Sequence, residues 1–203
     1  MINNVVFDFG QVMIHFKPEY IVKQYVTEQN DVELLTKIVF DKASWARLDE
    51  GKLTDEEFLR TCKTQLPKRL WEVSEKIYYN WIYNLPPIEG MADLVKELKA
   101  KYKKRVFLLS NISLYFSSHH EQFEVLKLFE KCIFSAECGI IKPNKAIYKL
   151  LCDKCNILPE ETLFIDDSPN NIDGAKEIGI NGYLFDGDVQ RLKNHLDNLF
   201  TKE

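Results

Sequence analysis

Short apolar runs alternate with helical stretches along most of this 203-residue chain. The runs are rich in β-branched and aromatic residues: NVVFDF (4–9), RVFLLS (105–110), CIFS (132–135), TLFID (162–166) and GYLF (182–185). Helical patterns such as 91–102, 144–155 and 170–179 separate them. Continuous apolar strands that alternate with helices are typical of a parallel sheet covered on both faces. The sequence therefore predicts an α/β fold with a doubly wound parallel sheet, which binds ligands beyond the carboxyl ends of its strands.

One long segment interrupts this alternation. Between about residues 16 and 85 only helical periodicity is visible. Thr54 and Glu57 have the spacing of a capping box, which predicts the start of one helix. A second helical stretch follows Pro67 and runs over residues 68–85. We therefore expect residues 1–15 and 86–203 to form an α/β core, with residues 16–85 as a helical domain inserted after the first strand.

Composition excludes several classes of function. The net charge of −4 and the isoelectric point near 5.7 leave no broad basic surface for nucleic acid. No apolar run reaches membrane-spanning length, and the N-terminus does not have the pattern of a signal peptide. The five cysteines are too few, and odd in number, for a disulfide framework. We expect a cytoplasmic protein that binds neither nucleic acid nor a membrane. Oligomeric state cannot be inferred from these features.

Polar side chains gather where the predicted strands end. Carboxylates suit a hard divalent cation, and a lysine with small donors suits a phosphoryl group. A carboxylate can also act as a nucleophile and form an aspartyl phosphate. Each residue alone would fit an ordinary capping or turn role, but their convergence on one edge predicts a phosphate and metal site. The residues are Asp8, Ser110, Asn111, Lys142, Asp166 and Asp167.

Four segments resemble the motifs of the haloacid dehalogenase-like (HAD) hydrolases. FDFGQV, LLSN, KPNKAIY and FIDDSPNNIDGA occur in the order and approximate spacing of that family's four motifs. The helical insert resembles the cap that some members carry after the first motif. Within the family, the chain is most similar to the small glucose-1-phosphatase-like proteins, through its first motif, its GKLTDEEF turn and its fourth motif.

The resemblance implies a magnesium-dependent phosphatase that acts on a small phosphorylated metabolite. It makes Asp8 the nucleophile and a Mg²⁺ ligand, together with the backbone carbonyl of Gly10. It assigns the rest of the acidic metal site to Asp167, assisted by Asp166. It also gives Asn171 a lesser role in supporting the metal ligands. It assigns the phosphoryl oxygens to Ser110, the backbone of Asn111, and Lys142.

Gly10 departs from the family pattern, because phosphatases of this family usually carry there a second Asp that protonates the leaving group and later activates water. Such a group contributes roughly 10²–10⁴ in rate. Three explanations remain open. The leaving group is a good one, such as the anomeric oxygen of a sugar 1-phosphate; His15, a cap residue or a water supplies the proton; or the enzyme is slow or vestigial. Gly10 also has a purely conformational interpretation, in which glycine is present because a turn requires positive φ at this position.

Two alternative functions follow from the same residues. A haloacid dehalogenase also uses one Asp nucleophile, and halide departure needs no acid, which suits Gly10. That chemistry needs no metal, however, so the retained Asp166 and Asp167 argue against it. A non-catalytic, phosphate-binding member of the family is the second alternative.

Overall fold

Five parallel strands form one sheet in residues 1–201, the part of the chain that this computed structural model describes, with the side chain of Asn84 excepted. The sheet order is β3-β2-β1-β4-β5. The predicted doubly wound parallel sheet is confirmed, and each strand lies within two residues of its predicted bounds. The strands are β1 (Asn4–Phe7), β2 (Arg105–Ser110), β3 (Lys131–Phe134), β4 (Thr162–Asp166) and β5 (Asn181–Leu184).

Successive residues of each central strand enter two different apolar layers. In β1, Val5 and Phe7 belong to the larger hydrophobic cluster, and Val6 belongs to the smaller one on the opposite face. Leu163 and Phe164 of β4 divide in the same way. Because both faces are buried, the alternation of side chains does not appear as an alternation of polarity. This is why the strands read as continuous apolar runs.

Helices cover both faces of the sheet. Tyr148 and Ile172 contribute to the smaller cluster, whereas Met91 and Leu192 contribute to the larger one. No helix in residues 1–201 combines the length and the apolar character needed to cross a bilayer. The helices are α6 (Met91–Ala100), α7 (Leu114–His119), α8 (Ser135–Cys138), α9 (Lys145–Cys155), α10 (Pro169–Lys176) and α11 (Val189–Phe200).

The segment between β1 and α6 is helical. Its helices are α1 (Pro18–Lys23), α2 (Gln29–Val39), α3 (Lys42–Asp49), α4 (Asp55–Gln65) and α5 (Trp71–Asn80). The division into cap and core stays a prediction.

Two predictions about the helices of this segment can be compared with the structure. The capping box of Thr54 and Glu57 is present at the start of α4. The single helix predicted over 68–85 is wrong in extent, because α5 ends at Asn80 and tight turns flank it. Such 3₁₀ turns are common at helix ends, and Pro86 disfavours helical geometry at the residue before it.

Candidate active site

A lysine ammonium group is buried between two carboxylates at the carboxyl edge of the sheet. Nζ of Lys142 lies 2.8 Å from Oδ1 of Asp8 and 2.7 Å from Oδ2 of Asp166. All three residues are buried. Because charges withdrawn from water are costly unless they are paired and hydrogen-bonded, these three side chains act as one electrostatic unit.

Strand order explains why Asp8 and Asp166 meet although they are far apart in sequence. β1 and β4 are neighbours, with Phe7 opposite Ile165. The amide of Asp8 donates to the carbonyl oxygen of Ile165 at 2.9 Å, which extends the ladder by one residue. The strand order also reverses between β1 and β4, since β2 and β3 lie on one side and β5 on the other. Open α/β sheets bind ligands in the crevice at such a switch point.

The loop that carries Lys142 is held from two sides. The side chain of Asn111 donates from Nδ2 to the carbonyl of Lys142 at 3.0 Å and accepts at Oδ1 from its amide at 2.8 Å. On the other side, α10 approaches so closely that a Cβ added to Gly174 would lie 2.5 Å from the carbonyl oxygen of Pro143. The Asn111 side chain therefore orients the loop, and its backbone stays the predicted contact for a phosphoryl group.

Asp166 is saturated with donors. Besides Lys142, its carboxylate accepts from the amide of Ser168 at 2.8 Å and from Nδ2 of Asn171 at 3.0 and 3.1 Å. The hydroxyl of Tyr148 in turn donates to the carbonyl of Asn171 at 2.7 Å. Asn171 thus contacts the predicted metal site through Asp166. Because all these bonds fix one carboxylate, Asp166 is well placed to position Lys142.

The donor set fits a divalent cation. One carboxylate oxygen each from Asp8, Asp166 and Asp167 lie within 4.8 Å of one another, and Asp167 is exposed. Mg²⁺ prefers oxygen ligands and usually keeps several waters, binding through one or two carboxylates and substrate phosphate. Asp8 and Asp167 are therefore close enough to share one ion, and the exposed side of the cluster leaves room for water and phosphate.

The pKa values of the buried trio depend on one another. Burial raises the pKa of Asp8 to about 7; the Lys142 ammonium opposes this shift and the Asp166 charge adds to it. Burial alone would lower the pKa of Lys142, but the charges of Asp8 and Asp166 outweigh it and raise that pKa. Lys142 therefore stays protonated and favours the ionised form of Asp8. A carboxylate must be ionised to act as a nucleophile.

Asp8 and Lys142 open onto a cavity of about 160 Å³, called the inner cavity below. Its lining combines polar groups from the edge of the sheet with aromatic rings of the helical segment. A larger cavity of about 560 Å³ near Lys131 shares no residue with it, so chemistry rather than size identifies the site. Residues that line the inner cavity include Asp8, Gly10, Phe16, Trp45, Asp49, Trp81, Ser110, Asn111, Lys142 and Asn171.

Sequence reasoning missed part of this wall. Asp49 lines the inner cavity together with Trp45, although no motif or periodicity in the sequence singled out Asp49. Trp81 is buried and also lines the cavity. His15, considered as a proton source, is not among the lining residues, whereas its neighbours on both sides, Ile14 and Phe16, are.

Gly10 also lines the cavity, but the positive-φ reading of this residue is wrong. Gly10 is not among the residues with positive φ, and the left-handed conformation falls instead on Gln11, at φ 56°. The chain therefore makes its turn with the residue after the glycine.

Comparison with known proteins places the chain in a family. The sequence model of a family described as haloacid dehalogenase-like hydrolase matches residues 2–179. The chain belongs to the haloacid dehalogenase-like hydrolases. This confirms the resemblance seen in the four motifs. The glucose-1-phosphatase-like branch stays a prediction.

Relatives of this hydrolase include enzymes named as phosphatases. The chain is similar to D-ribitol-5-phosphate phosphatase from Bacteroides thetaiotaomicron, with 26% identity over 88% of this chain and 89% of the relative. It is also similar to phosphoglycolate phosphatase from Mannheimia succiniciproducens, with 25% identity over 80% of this chain and 67% of the relative.

Solved structures show the same fold. A HAD family enzyme from Bacteroides thetaiotaomicron, crystallised with magnesium and inorganic phosphate, superposes with a TM-score of 0.70 and 26% identity, covering 95% of this chain and 99% of that one. L-2-haloacid dehalogenase from Xanthobacter autotrophicus superposes with a TM-score of 0.67 and 19% identity, covering 98% of this chain and 83% of that one. The second likeness concerns the fold alone.

Proposed function

We propose that this hydrolase is a magnesium-dependent phosphatase that cleaves a small phosphorylated metabolite through an aspartyl-phosphate intermediate. The observation that carries the proposal is Lys142, buried between Asp8 and Asp166, with Asp167 in reach of the same cation. This arrangement combines a nucleophile, a fixed positive charge and an oxygen-rich metal site. The phosphatase names of relatives and the phosphate complex of a neighbour support it.

In this mechanism the Asp8 carboxylate attacks the phosphorus atom and the leaving oxygen departs. The ammonium of Lys142 neutralises charge on the transferring group, and Ser110 with the backbone of Asn111 supplies donors. Mg²⁺ bound by Asp8, Asp167 and the Gly10 carbonyl would withdraw charge from the phosphoryl oxygens. Asp166 keeps Lys142 in place. Water then attacks the phosphoenzyme and releases Asp8.

The aromatic wall supports a small organic substrate. Rings of Phe16, Trp45 and Trp81 lie 5.2–5.4 Å apart, centroid to centroid, beside the inner cavity. Such a wall excludes water from the phosphoryl group and offers flat apolar faces to a sugar or polyol chain.

All five cysteines are free thiols, which supports the reducing cytoplasm as the compartment.

We further propose a sugar 1-phosphate as the substrate. An anomeric oxygen is a better leaving group than an ordinary alcohol oxygen, so its departure suits a site that has no carboxylate at position 10, whether or not another segment supplies the proton. Turnover of sugar 1-phosphates and sugar 6-phosphates should be compared directly. Equal or faster hydrolysis of the 6-phosphates would defeat this substrate assignment while leaving the phosphatase proposal intact.

The phosphatase proposal is tested by a screen of phosphorylated metabolites with Mg²⁺, run in parallel on three variants. Asp8→Asn should abolish turnover. Asp167→Asn should raise the Mg²⁺ concentration needed for half-activation by at least about tenfold. Even residues that only hydrogen-bond to metal ligands typically cost about this much metal affinity when they are replaced. Asp173→Asn, an exposed aspartate on α10, should behave as wild type.

Three outcomes would contradict the proposal. Full activity of Asp8→Asn would show that the nucleophile is another group. Hydrolysis of a haloacid that persists in EDTA, with no phosphatase activity, would favour dehalogenation. A phosphate or beryllofluoride adduct at Asp8 without turnover of any substrate would instead favour the non-catalytic alternative.

A further inference from the structure

Position 10 lacks a carboxylate although the structure leaves space for one. A Cβ built on Gly10 meets no atom within 4 Å, and the residue does not adopt positive φ. Neither packing nor backbone strain therefore requires glycine. If the reaction uses a proton donor, that donor lies on another segment that faces the inner cavity.

Asp49, the last residue of α3, faces this cavity from the helical insert. It lines the inner cavity together with Asp8 and Lys142. It also lines a second cavity of about 300 Å³, which shares Phe16, Trp45, Asp49 and Asn111 with the first. Asp49 therefore lies where the two cavities meet. A substrate with its phosphoryl group beside Asp8 and its remainder in the second cavity would have its bridging oxygen at this junction.

The position of Asp49 is fixed by the core. Oγ of Ser135, a fully buried residue of α8, donates to the Asp49 carbonyl at 2.6 Å. Two residues further on, Gly51 has φ 67°, and a Cβ there would lie 2.7 Å from the carbonyl oxygen of Ala136. Only glycine allows this approach. The end of α3 is thus held against the sheet edge that carries the site.

The Asp49 carboxyl group has an unused buried oxygen. Within residues 1–201, its Oδ1 is one of two buried side-chain polar atoms with no hydrogen-bond partner. An unpaired buried oxygen is costly and calls for an explanation. Burial raises the pKa of Asp49 to about 7; the negative charge of Asp8 adds to the shift, and Lys142 opposes it. A general acid and base works best with a pKa in this range.

We propose that Asp49 is the catalytic residue that donates the proton to the leaving oxygen and then receives one from the attacking water; this inference rests on the proposed phosphatase function. In the first step a bond forms between Asp8 and phosphorus, the bond from phosphorus to the leaving oxygen breaks, and that oxygen takes the Asp49 proton. In the second step water bonds to phosphorus, the Asp8–phosphorus bond breaks, and the water proton returns Asp49 to its acid form. The sum is hydrolysis of the ester.

The test compares Asp49→Asn with Glu50→Gln on two substrates. Glu50 is the adjacent carboxylate, paired with Lys52 at 3.0 Å, and makes a matched control. On an alkyl phosphate, whose leaving group needs a proton, Asp49→Asn should lose about 10²–10⁴ in kcat/KM. On p-nitrophenyl phosphate, whose leaving group needs none, it should release one equivalent of nitrophenol per site in a burst and then turn over slowly.

Adding a carboxylate at the open position supplies a second readout. The double variant Gly10→Asp with Asp49→Asn should recover at least tenfold of the lost alkyl phosphatase activity. Equal losses on both substrates without a burst, no loss on either, or a double variant no better than Asp49→Asn would overturn the assignment. Failure of the phosphatase proposal itself is recognised separately, because Asp8→Asn would then remain active.

Discussion

Replacing Lys142 with methionine removes the positive charge between Asp8 and Asp166 while keeping a chain of similar volume. The two carboxylates then lose ion pairs of 2.8 and 2.7 Å to a buried lysine side chain. Breaking a buried pair by removing one partner costs about 3–5 kcal/mol. Since a domain is typically stable by about 5–15 kcal/mol, the variant should fold at neutral pH but with much reduced stability.

Urea denaturation measures this loss. With a slope of about 2–3 kcal/mol/M, the midpoint at pH 8 should fall by about 1–2.5 M. The control is Lys145→Met, which breaks an exposed pair with Glu177 and should change little, because exposed ion pairs contribute little. The gap between wild type and Lys142→Met should narrow as the pH falls to 5. Burial raises the pKa of Asp8 in the folded state, and removing Lys142 removes the charge that opposes this shift, so proton uptake by Asp8 favours folding of the variant as the pH falls. Equal midpoints for Lys142→Met and Lys145→Met at pH 8 would refute the reasoning.

Two further predictions concern the end of α3. Asp49→Asn should lower activity yet stabilise the fold above pH 7 by a few kcal/mol, since it removes a buried negative charge that the charge of Asp8 repels. The pKa of Asp49 is raised to about 7 in the folded state, whereas in the unfolded chain Asp49 ionises at lower pH. The gain in stability should therefore be absent near pH 4, grow as the pH rises, and level off above pH 7. Thermal melts that show a constant gain across this range would contradict the prediction. Gly51→Ala should cost about 1–2 kcal/mol from its left-handed backbone and slow alkyl phosphate hydrolysis by displacing the neighbouring helix end. The control is Gly139→Ala, at φ 68° with open space around it, which carries the same backbone strain without a clash against a neighbouring carbonyl. Equal effects of the two variants on kcat would rule out that the close approach of Gly51 to Ala136 positions the end of α3.

The sequence by itself determined the sheet and the polar residues at its edge. Buried parallel strands need apolar residues on both faces, and this local requirement marked the three central strands β1, β2 and β4, whereas β5 is only partly buried. Asp8 follows β1 directly and Asp166 is the last residue of β4, so placing the strands also placed these carboxylates. Lys142 lies in a loop and was found by a different route, because its segment KPNKAIY resembles a family motif.

Only the tertiary structure decided which groups of the helical segment line the inner cavity. Asp49 lies in the inner cavity because α3 is held against α8 by Ser135 and by the close approach of Gly51. No local pattern encodes that contact, since it joins parts of the chain that are far apart in sequence. The enclosure of Lys142 by two carboxylates depends equally on the pairing of β1 with β4. Burial, and with it the chemical character of these charged groups, is a property of long-range packing, which periodicity along a single chain does not record.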